Sequence, residues 1–163
     1  MQVTSTSFKE GDYLSMDHVL SASYGFGCSG ANQSPQLAWS GAPEGTGSFT
    51  VTCLDPDAPT GSGFWHWMVV NIPSNVTELP RDAGNPASGK MPAGAVTLRN
   101  DVGTNEYIGP CSPEGDHPHR YFFVVHAVRG QLQVTEQTTP ALCGFLLHFN
   151  TLDKAEIVGL FKR

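Results

Sequence analysis

The sequence predicts a mostly β fold, and three observations lead to that prediction. Charged residues make up 15% of the 163 residues, whereas glycine and proline number 18 and 12, a composition typical of many turns between short strands. Several apolar or alternating segments have the length of strands. Only one segment has the periodicity of an amphipathic helix. No repeat or linker interrupts the chain, so we expect a single domain over residues 1–163.

The first two predicted strands lie close together in the sequence. Residues 48–54 alternate between two faces with the period of a half-buried strand, which ends at Asp55. Residues 64–72 are apolar on both faces, as in a central strand that is covered on either side. Regular alternation would place His66 on the same face as Met68.

The third predicted strand and the helix lie in the second half of the chain. Residues 120–127 form a β-branched and aromatic run that is typical of a deeply buried strand. Thr139 and the proline after it suit an N-cap and the first helical position. We expect the apolar stripe of this helix to pack on the sheet. Residues 155–161 suit a last strand or the end of a helix, and we predict the strand. The stripe comprises Leu142, Phe145, Leu146 and Phe149.

Charge and hydropathy exclude several kinds of partner. The formal net charge is −6 and the basic residues are scattered, so no nucleic-acid-binding surface is expected. No run of 18 apolar residues could form a transmembrane helix, and the first ten residues lack the features of a signal peptide. A cytoplasmic protein is expected from the sequence as written, or a periplasmic one if an export signal was removed. A monomer and a homodimer both remain open.

The four cysteines bear on the same question. Cys53 lies inside an apolar strand and is expected to be a buried thiol. Cys28 and Cys111 lie in glycine-rich loops, where either a disulfide or two free thiols would fit. A bridge between them would favour the periplasmic alternative.

Polar side chains cluster where the predicted strands begin or end. Asp55 and Asp57 lie in a turn that Pro56 and Pro59 stiffen, because proline restricts its own φ and the residue before it. His66 lies in the second strand, and a further histidine and a tyrosine enter the third. If the strand ends are neighbours, these groups form a polar pit in an apolar wall, which is the usual form of a ligand site. Ordinary turn chemistry and core packing would explain each residue singly.

Such a pit has the chemistry of an oxyanion site. Imidazole N–H and phenol O–H groups donate hydrogen bonds, and the amides of the loop at residues 107–113 could add backbone donors. Two other functions are open. A metal site could use His66, His117, His119 and Asp55, and a hydrolase could use Cys111 or Ser112 as nucleophile with His119 as base. The sequence has no nucleophile elbow; we expect a non-catalytic protein without metal or cofactor.

The motifs resemble one known family over nearly the whole chain. Asp55-Pro-Asp-Ala-Pro59, Trp65-His-Trp67 and His119-Arg-Tyr121 are similar to motifs of the phosphatidylethanolamine-binding protein family, also called the Raf kinase inhibitor protein family. Phe26-Gly-Cys-Ser-Gly and Ser34-Pro-Gln-Leu-Ala-Trp39 resemble its bacterial branch. The resemblance implies a large antiparallel sheet packed against a smaller sheet, with one or two peripheral helices.

The resemblance also implies a ligand and the residues that bind it. The ligand would be a phosphate-like or carboxylate anion, including phospholipid headgroups, and the protein would regulate a kinase or another signalling protein, or inhibit a protease. Arg120 points to the other side of its strand, so our own hypothesis is that it pairs with Asp57 as a structural brace. Cys111 departs from the glycine of animal members, which puts the loop conformation and the ligand preference in question. The expected ligand-binding residues are Asp55, His66, Cys111, His119 and Tyr121, and the expected rim residues are Pro59, Trp65 and Pro113.

Overall fold

A computed structural model describes all residues, 1–163, and confirms the mostly β fold. Two antiparallel sheets and one α-helix account for the regular structure, together with two single-turn 3₁₀ helices. The strands are β1 Gln2–Thr4, β2 Leu37–Ser40, β3 Ser48–Asp55, β4 Phe64–Pro73, β5 Glu78–Leu79, β6 Val96–Thr97, β7 His119–Val128 and β8 Thr151–Phe161, and the helix is α1 Pro140–Asn150. The large sheet has the order β6-β4-β3-β7-β8 and the small sheet the order β1-β2-β5.

The main core lies between the two sheets. The small sheet contributes Leu37 and Trp39, and the inner face of the large sheet contributes Val51, Trp67 and Phe123, all less than 5% exposed. β3, the central strand of the large sheet, is buried on both faces, whereas β7 alternates between buried inner residues and more exposed outer ones. The predicted last strand is confirmed as the second half of β8, which pairs with β7.

A β-bulge in β4 overturns the face that regular alternation predicts for His66. Cys53 pairs with Trp67 and Leu54 pairs with Trp65, so His66 is the additional residue between the two pairs. A bulge places two consecutive residues on the same side of the strand. His66 therefore faces inwards, whereas Met68 packs in a separate cluster on the outer face.

The predicted helix is present, but the expected buried stripe is wrong. Its N-cap is confirmed, since Thr139 Oγ1 accepts a hydrogen bond from Leu142 N–H at 3.3 Å. Leu142, Phe145 and Phe149 are 51–65% exposed. Apolar residues lie on most sides of α1, so periodicity alone does not select a face, and β8 follows Asn150 directly, which fixes the rotation of the helix. The side chains that α1 buries are Pro140, Cys143 and Leu147. No helix has the length and hydropathy of a membrane span.

The structure contains the Cys28–Cys111 disulfide, with 5.9 Å between the two Cα atoms. It ties the loop that follows Tyr24 to the loop that precedes β7, across a sequence separation of 83 residues. Cys53 is a free, buried thiol as predicted, and so is Cys143.

We predict that Cys28→Ala/Cys111→Ala lowers the free energy of unfolding by about 4 kcal/mol, because the bridge closes a long loop and restricts the unfolded chain. Urea unfolding of the variant and of the oxidised parent, followed by circular dichroism, measures the difference. Cys143→Ala is the matched control for loss of a thiol without a cross-link. Equal midpoints for the double variant and the parent would contradict the structural role of the bridge.

Candidate functional site

One end of the large sheet forms a cavity of about 210 Å³. The sheet is antiparallel, so the end of β3 and the beginnings of β4 and β7 meet at this edge. Asp55, His66, His119 and Tyr121 are thereby brought together, although they come from three separate segments. All four side chains are largely buried, with residue exposures between 1% and 6%.

The loop at residues 108–113 forms the opposite wall and is held firmly. Ile108 donates its N–H to the His66 carbonyl at 3.1 Å, and its own carbonyl lies 2.8 Å from His66 Nδ1. Gly109 donates to Asn32 Oδ1 at 2.7 Å, and a Cβ at Gly109 would lie 2.1 Å from the His18 carbonyl oxygen, so only glycine fits there.

Of the other predicted cavity residues, some line the cavity and one does not. Cys111, Pro59 and Pro113 line the cavity as expected from the resemblance, and Cys111 does so without a positive φ. Trp65 does not line it, because the bulge turns its indole to the outer face of the sheet. The expected rim position of Trp65 is therefore wrong.

Arg120 and Asp57 form the predicted brace. Asp57 accepts hydrogen bonds from the Arg120 backbone N–H at 2.9 Å, from Nε at 2.9 Å and from Nη2 at 2.8 Å. These hydrogen bonds from Arg120 lower the pKa of Asp57 to about 2. The brace ties the turn after β3 to the beginning of β7, where the cavity residues lie.

His119 lies between two carboxylates, one of which the sequence analysis had not assigned. Its Nδ1 is 2.7 Å from Asp55 Oδ2, and its Nε2 is 3.1 Å from Asp116 Oδ2. An ionised carboxylate only accepts hydrogen bonds, so a carboxylate at each ring nitrogen favours the doubly protonated imidazolium form of His119. Burial alone would lower the pKa of His119, but the hydrogen bonds to Asp55 and Asp116 raise it above the ordinary value. The position of Asp116, three residues before His119, was the available signal in the sequence.

His66 has the opposite character. Its Nδ1–H donates to the Ile108 carbonyl, and burial lowers its pKa, so the neutral ring presents Nε2 as an acceptor. The His66 ring lies against Tyr121, with 5.1 Å between the ring centroids. Burial and the Asp55 charge raise the pKa of Tyr121 well above its ordinary value, so its phenol stays protonated and can donate.

The loop that lines the cavity contains donors without a hydrogen-bond partner. The Ser112 hydroxyl is buried without a hydrogen-bond partner in the chain, and Ser112 lines the cavity. Pro110 and Pro113 have no N–H group, whereas the N–H groups of Cys111 and Ser112 are absent from the hydrogen bonds of the loops. A buried hydroxyl without a hydrogen-bond partner destabilises the folded protein. A ligand that accepts from the Ser112 hydroxyl would remove this cost.

The two alternative functions fit the geometry less well. Cys111 is bound in a disulfide and the Ser112 hydroxyl has no hydrogen bond to His119, so neither forms the nucleophile–base pair of a hydrolase. The one group of potential metal ligands is Asp116, His117 and His119, which differs from the set suggested by the sequence. Both His119 nitrogens in that group already have carboxylate partners.

The fold and cavity define a β-sandwich protein with a small cavity at one sheet end, where a few buried polar groups lie in a mostly apolar wall. The family profile described as "Phosphatidylethanolamine-binding protein" matches residues 4–162, and the chain belongs to this family. The chain is 51% identical to the "UPF0098 protein YbcL" of Escherichia coli strain K12, over 99% of this chain and 87% of that protein. It is 44% identical to the "UPF0098 protein YbhB" of the same strain, over 99% of both chains.

Solved structures agree with the sequence relatives. The crystal structure of E. coli YbcL, described as a new member of the mammalian PEBP family, superposes with a TM-score of 0.95 and covers 99% of this chain and 98% of that chain. A phosphatidylethanolamine-binding protein homolog from Chlamydia trachomatis superposes with a TM-score of 0.81 at 26% identity, over 99% of this chain and 97% of that chain. The two-sheet fold predicted from the resemblance is therefore confirmed.

We predict that Arg120→Ala lowers the Tm at pH 7 by about 2–4 °C, because it removes the brace on the turn after β3. The pKa of Asp57 is depressed in the folded state, so the brace contributes fully above about pH 4 and its contribution is lost as the pH falls towards 2. Thermal unfolding at several pH values measures both effects.

The matched control is Arg129→Ala, which removes one exposed positive charge without a side-chain hydrogen bond. A Tm difference between Arg120→Ala and the parent that is the same at pH 7 and pH 3 would refute the assigned role of the ion pair.

Proposed function

We propose that this protein is a non-catalytic binding protein whose cavity holds a phosphate-like or carboxylate anion, such as a phospholipid headgroup. Membership of the family supports a binding protein. The observation that carries the proposal is the buried His119 ring, whose Nε2 is covered only by the Asp116 carboxylate, itself 32% exposed. When His119 is protonated, an anion that enters the cavity can replace Asp116 as the hydrogen-bond partner of its Nε2.

The cavity donors supply the remaining contacts in this proposal. The Ser112 and Tyr121 hydroxyls and the N–H groups of Cys111 and Ser112 donate to the oxygens of the guest. Neutral His66 accepts through Nε2, so it pairs with a protonated oxygen of a phosphoryl group. The cavity is smaller than the roughly 300–1,000 Å³ of sites for drug-sized ligands, which suits a headgroup rather than a whole lipid. The acyl chains of a lipid would stay outside.

The proposal extends to regulation of a partner. Pro59 and Pro113 line the mouth of the cavity, so an occupied cavity changes the surface that a kinase or another signalling protein would contact. The disulfide supports an oxidising compartment such as the periplasm, because structural disulfides are rare in reducing ones.

Isothermal titration calorimetry with inorganic phosphate and with phosphoethanolamine tests the binding function. We predict that Ser112→Ala and Tyr121→Phe each weaken binding by about tenfold, since each removes one hydrogen bond to a charged guest. Ser112→Ala should leave the Tm unchanged or raise it, because it removes a buried hydroxyl that has no partner. Ser74→Ala, an exposed serine, is the matched control. The proposal would be contradicted if the parent bound neither phosphate nor phosphoethanolamine, or if both variants bound them as well as the parent does.

We predict that Asp116→Asn strengthens phosphate binding, because it removes the like charge that competes for His119 Nε2 and keeps the size of the side chain. Binding to the parent should weaken as the pH rises through the pKa of His119, which the hydrogen bonds to Asp55 and Asp116 raise above its ordinary value, because the neutral ring no longer attracts the anion. Glu114→Gln, which removes an exposed acidic charge from the same loop, is the control. Weaker binding by Asp116→Asn than by Glu114→Gln would show that Asp116 supports the anion instead.

A further inference from the structure

A second cavity, of about 340 Å³, lies on the outer face of the large sheet. α1 and the beginning of β8 form its other walls, and it shares no residue with the first cavity. The proposed function makes no use of it. Its lining residues are Thr52, Trp65, Met68, His126, Gly144, Leu147, His148, Thr151 and Lys154.

The polar side of this cavity is positive, in a chain whose net charge is −6. Lys154 lines it and forms no ion pair. No aspartate or glutamate is among the lining residues. The lining therefore carries one lysine and no carboxylate, and an anionic guest would meet one ammonium group without an ion-pair partner there.

Neutral donors surround Lys154. His126 Nδ1 lies 3.2 Å from Thr151 Oγ1, and when that hydroxyl donates to Nδ1 the ring keeps its proton on Nε2, which has no partner in the chain. Burial, with the Lys154 charge second, lowers the pKa of His126 to about 4, so the ring is neutral at pH 7. Thr52 is only 3% exposed and adds a hydroxyl to the floor. One cation with neutral donors suits a single carboxylate.

The other side of the cavity is apolar and has room for a flat group. Trp65, Met68 and Leu147 supply an indole ring and two aliphatic surfaces. Gly144 lies in the interior of α1, where glycine destabilises a helix relative to alanine. A Cβ at Gly144 would meet no atom within 4 Å, so no close contact requires a glycine there. Its effect is to leave the helix wall of the cavity open.

We propose that this second cavity binds a small carboxylate that carries an aromatic ring. The carboxylate pairs with Lys154 and accepts from His126 and Thr52, and the ring packs between Trp65 and the helix surface at Gly144. Aromatic rings gain from such offset or edge-on contacts in addition to the area that they bury. The site is independent of anion binding in the first cavity, because the sheet lies between the two.

Tryptophan fluorescence reports on this cavity selectively. Trp65 lines it, whereas Trp39 and Trp67 are 4% and 0% exposed in the main core. Titration with phenylacetate should give a saturable change in emission, with a dissociation constant of about 1 mM, as expected for a guest of this size. Phenylacetamide, which has the same shape without the charge, should bind at least about tenfold more weakly.

Two variants test the two sides of the site. Lys154→Gln should weaken phenylacetate binding by about tenfold, whereas Lys9→Gln, at an exposed lysine elsewhere, should leave it unchanged. Gly144→Leu should block the cavity, and Gly144→Ala should raise the Tm and shows that the helix tolerates a side chain. Circular dichroism and the Tm of each variant confirm that it is folded.

Three results would overturn the proposal. These are no saturable change in emission, equal affinity for phenylacetate and phenylacetamide, or full affinity in both Lys154→Gln and Gly144→Leu. Competition by inorganic phosphate, or loss of binding in Ser112→Ala, would place phenylacetate in the first cavity and would equally refute a second site. Failure of phosphate to bind at all would count against the proposed function alone.

Discussion

The first cavity depends on the buried hydrogen bond between His119 and Asp55. Asp55 is 2% exposed, and an unpaired carboxylate at that depth would be strongly unfavourable. His119 Nδ1 lies 2.7 Å from Asp55 Oδ2 and supplies the hydrogen bond that compensates for the burial of this carboxylate. The two residues belong to neighbouring strands, β3 and β7, so their pairing holds the sheet edge in register and fixes the orientation of the His119 ring in the cavity. A buried ion pair of this kind is weak evidence for a gain in folding stability. It does fix the positions of the two side chains relative to each other.

The β-bulge in β4 places two consecutive residues, Trp65 and His66, in different environments. It turns His66 towards the first cavity and leaves Trp65 on the outer face, beside the second cavity. A regular strand would give these neighbours opposite faces too, but it would put His66 and Met68 on one side. The bulge lets the strand supply an imidazole to one surface and continue as a packed core strand on both of its faces. Bulges are common beside functional sites for this reason.

Much of the fold and of the site follows from the sequence. Alternation and apolar runs predict β3, β4, β7 and β8, and the stiff Asp-Pro turn predicts where the polar groups converge. The face of His66 and of Trp65 could not be predicted, because a bulge adds one residue without any signature in the local composition. The buried face of α1 was wrong because apolar residues surround the helix and the join to β8 decides its rotation. Each error concerns a choice between faces that depends on long-range contacts.

The net charge around His119 could not be predicted from the types of the expected site residues, because Asp116 was not among them. Its exposed carboxylate caps His119 and makes the group of Asp55, His119 and Asp116 net negative, so the free protein already holds an anion of its own. A tethered carboxylate competes at a high effective concentration, and a simple monocarboxylate offers His119 nothing that Asp116 does not. A phosphoryl group carries more charge and more oxygens, which the Ser112 and Tyr121 hydroxyls and the loop amides can bind at the same time. Under the proposed function, a phosphoryl guest is therefore favoured over a simple carboxylate, because the guest has to replace Asp116 in a cavity whose lining contains no lysine or arginine.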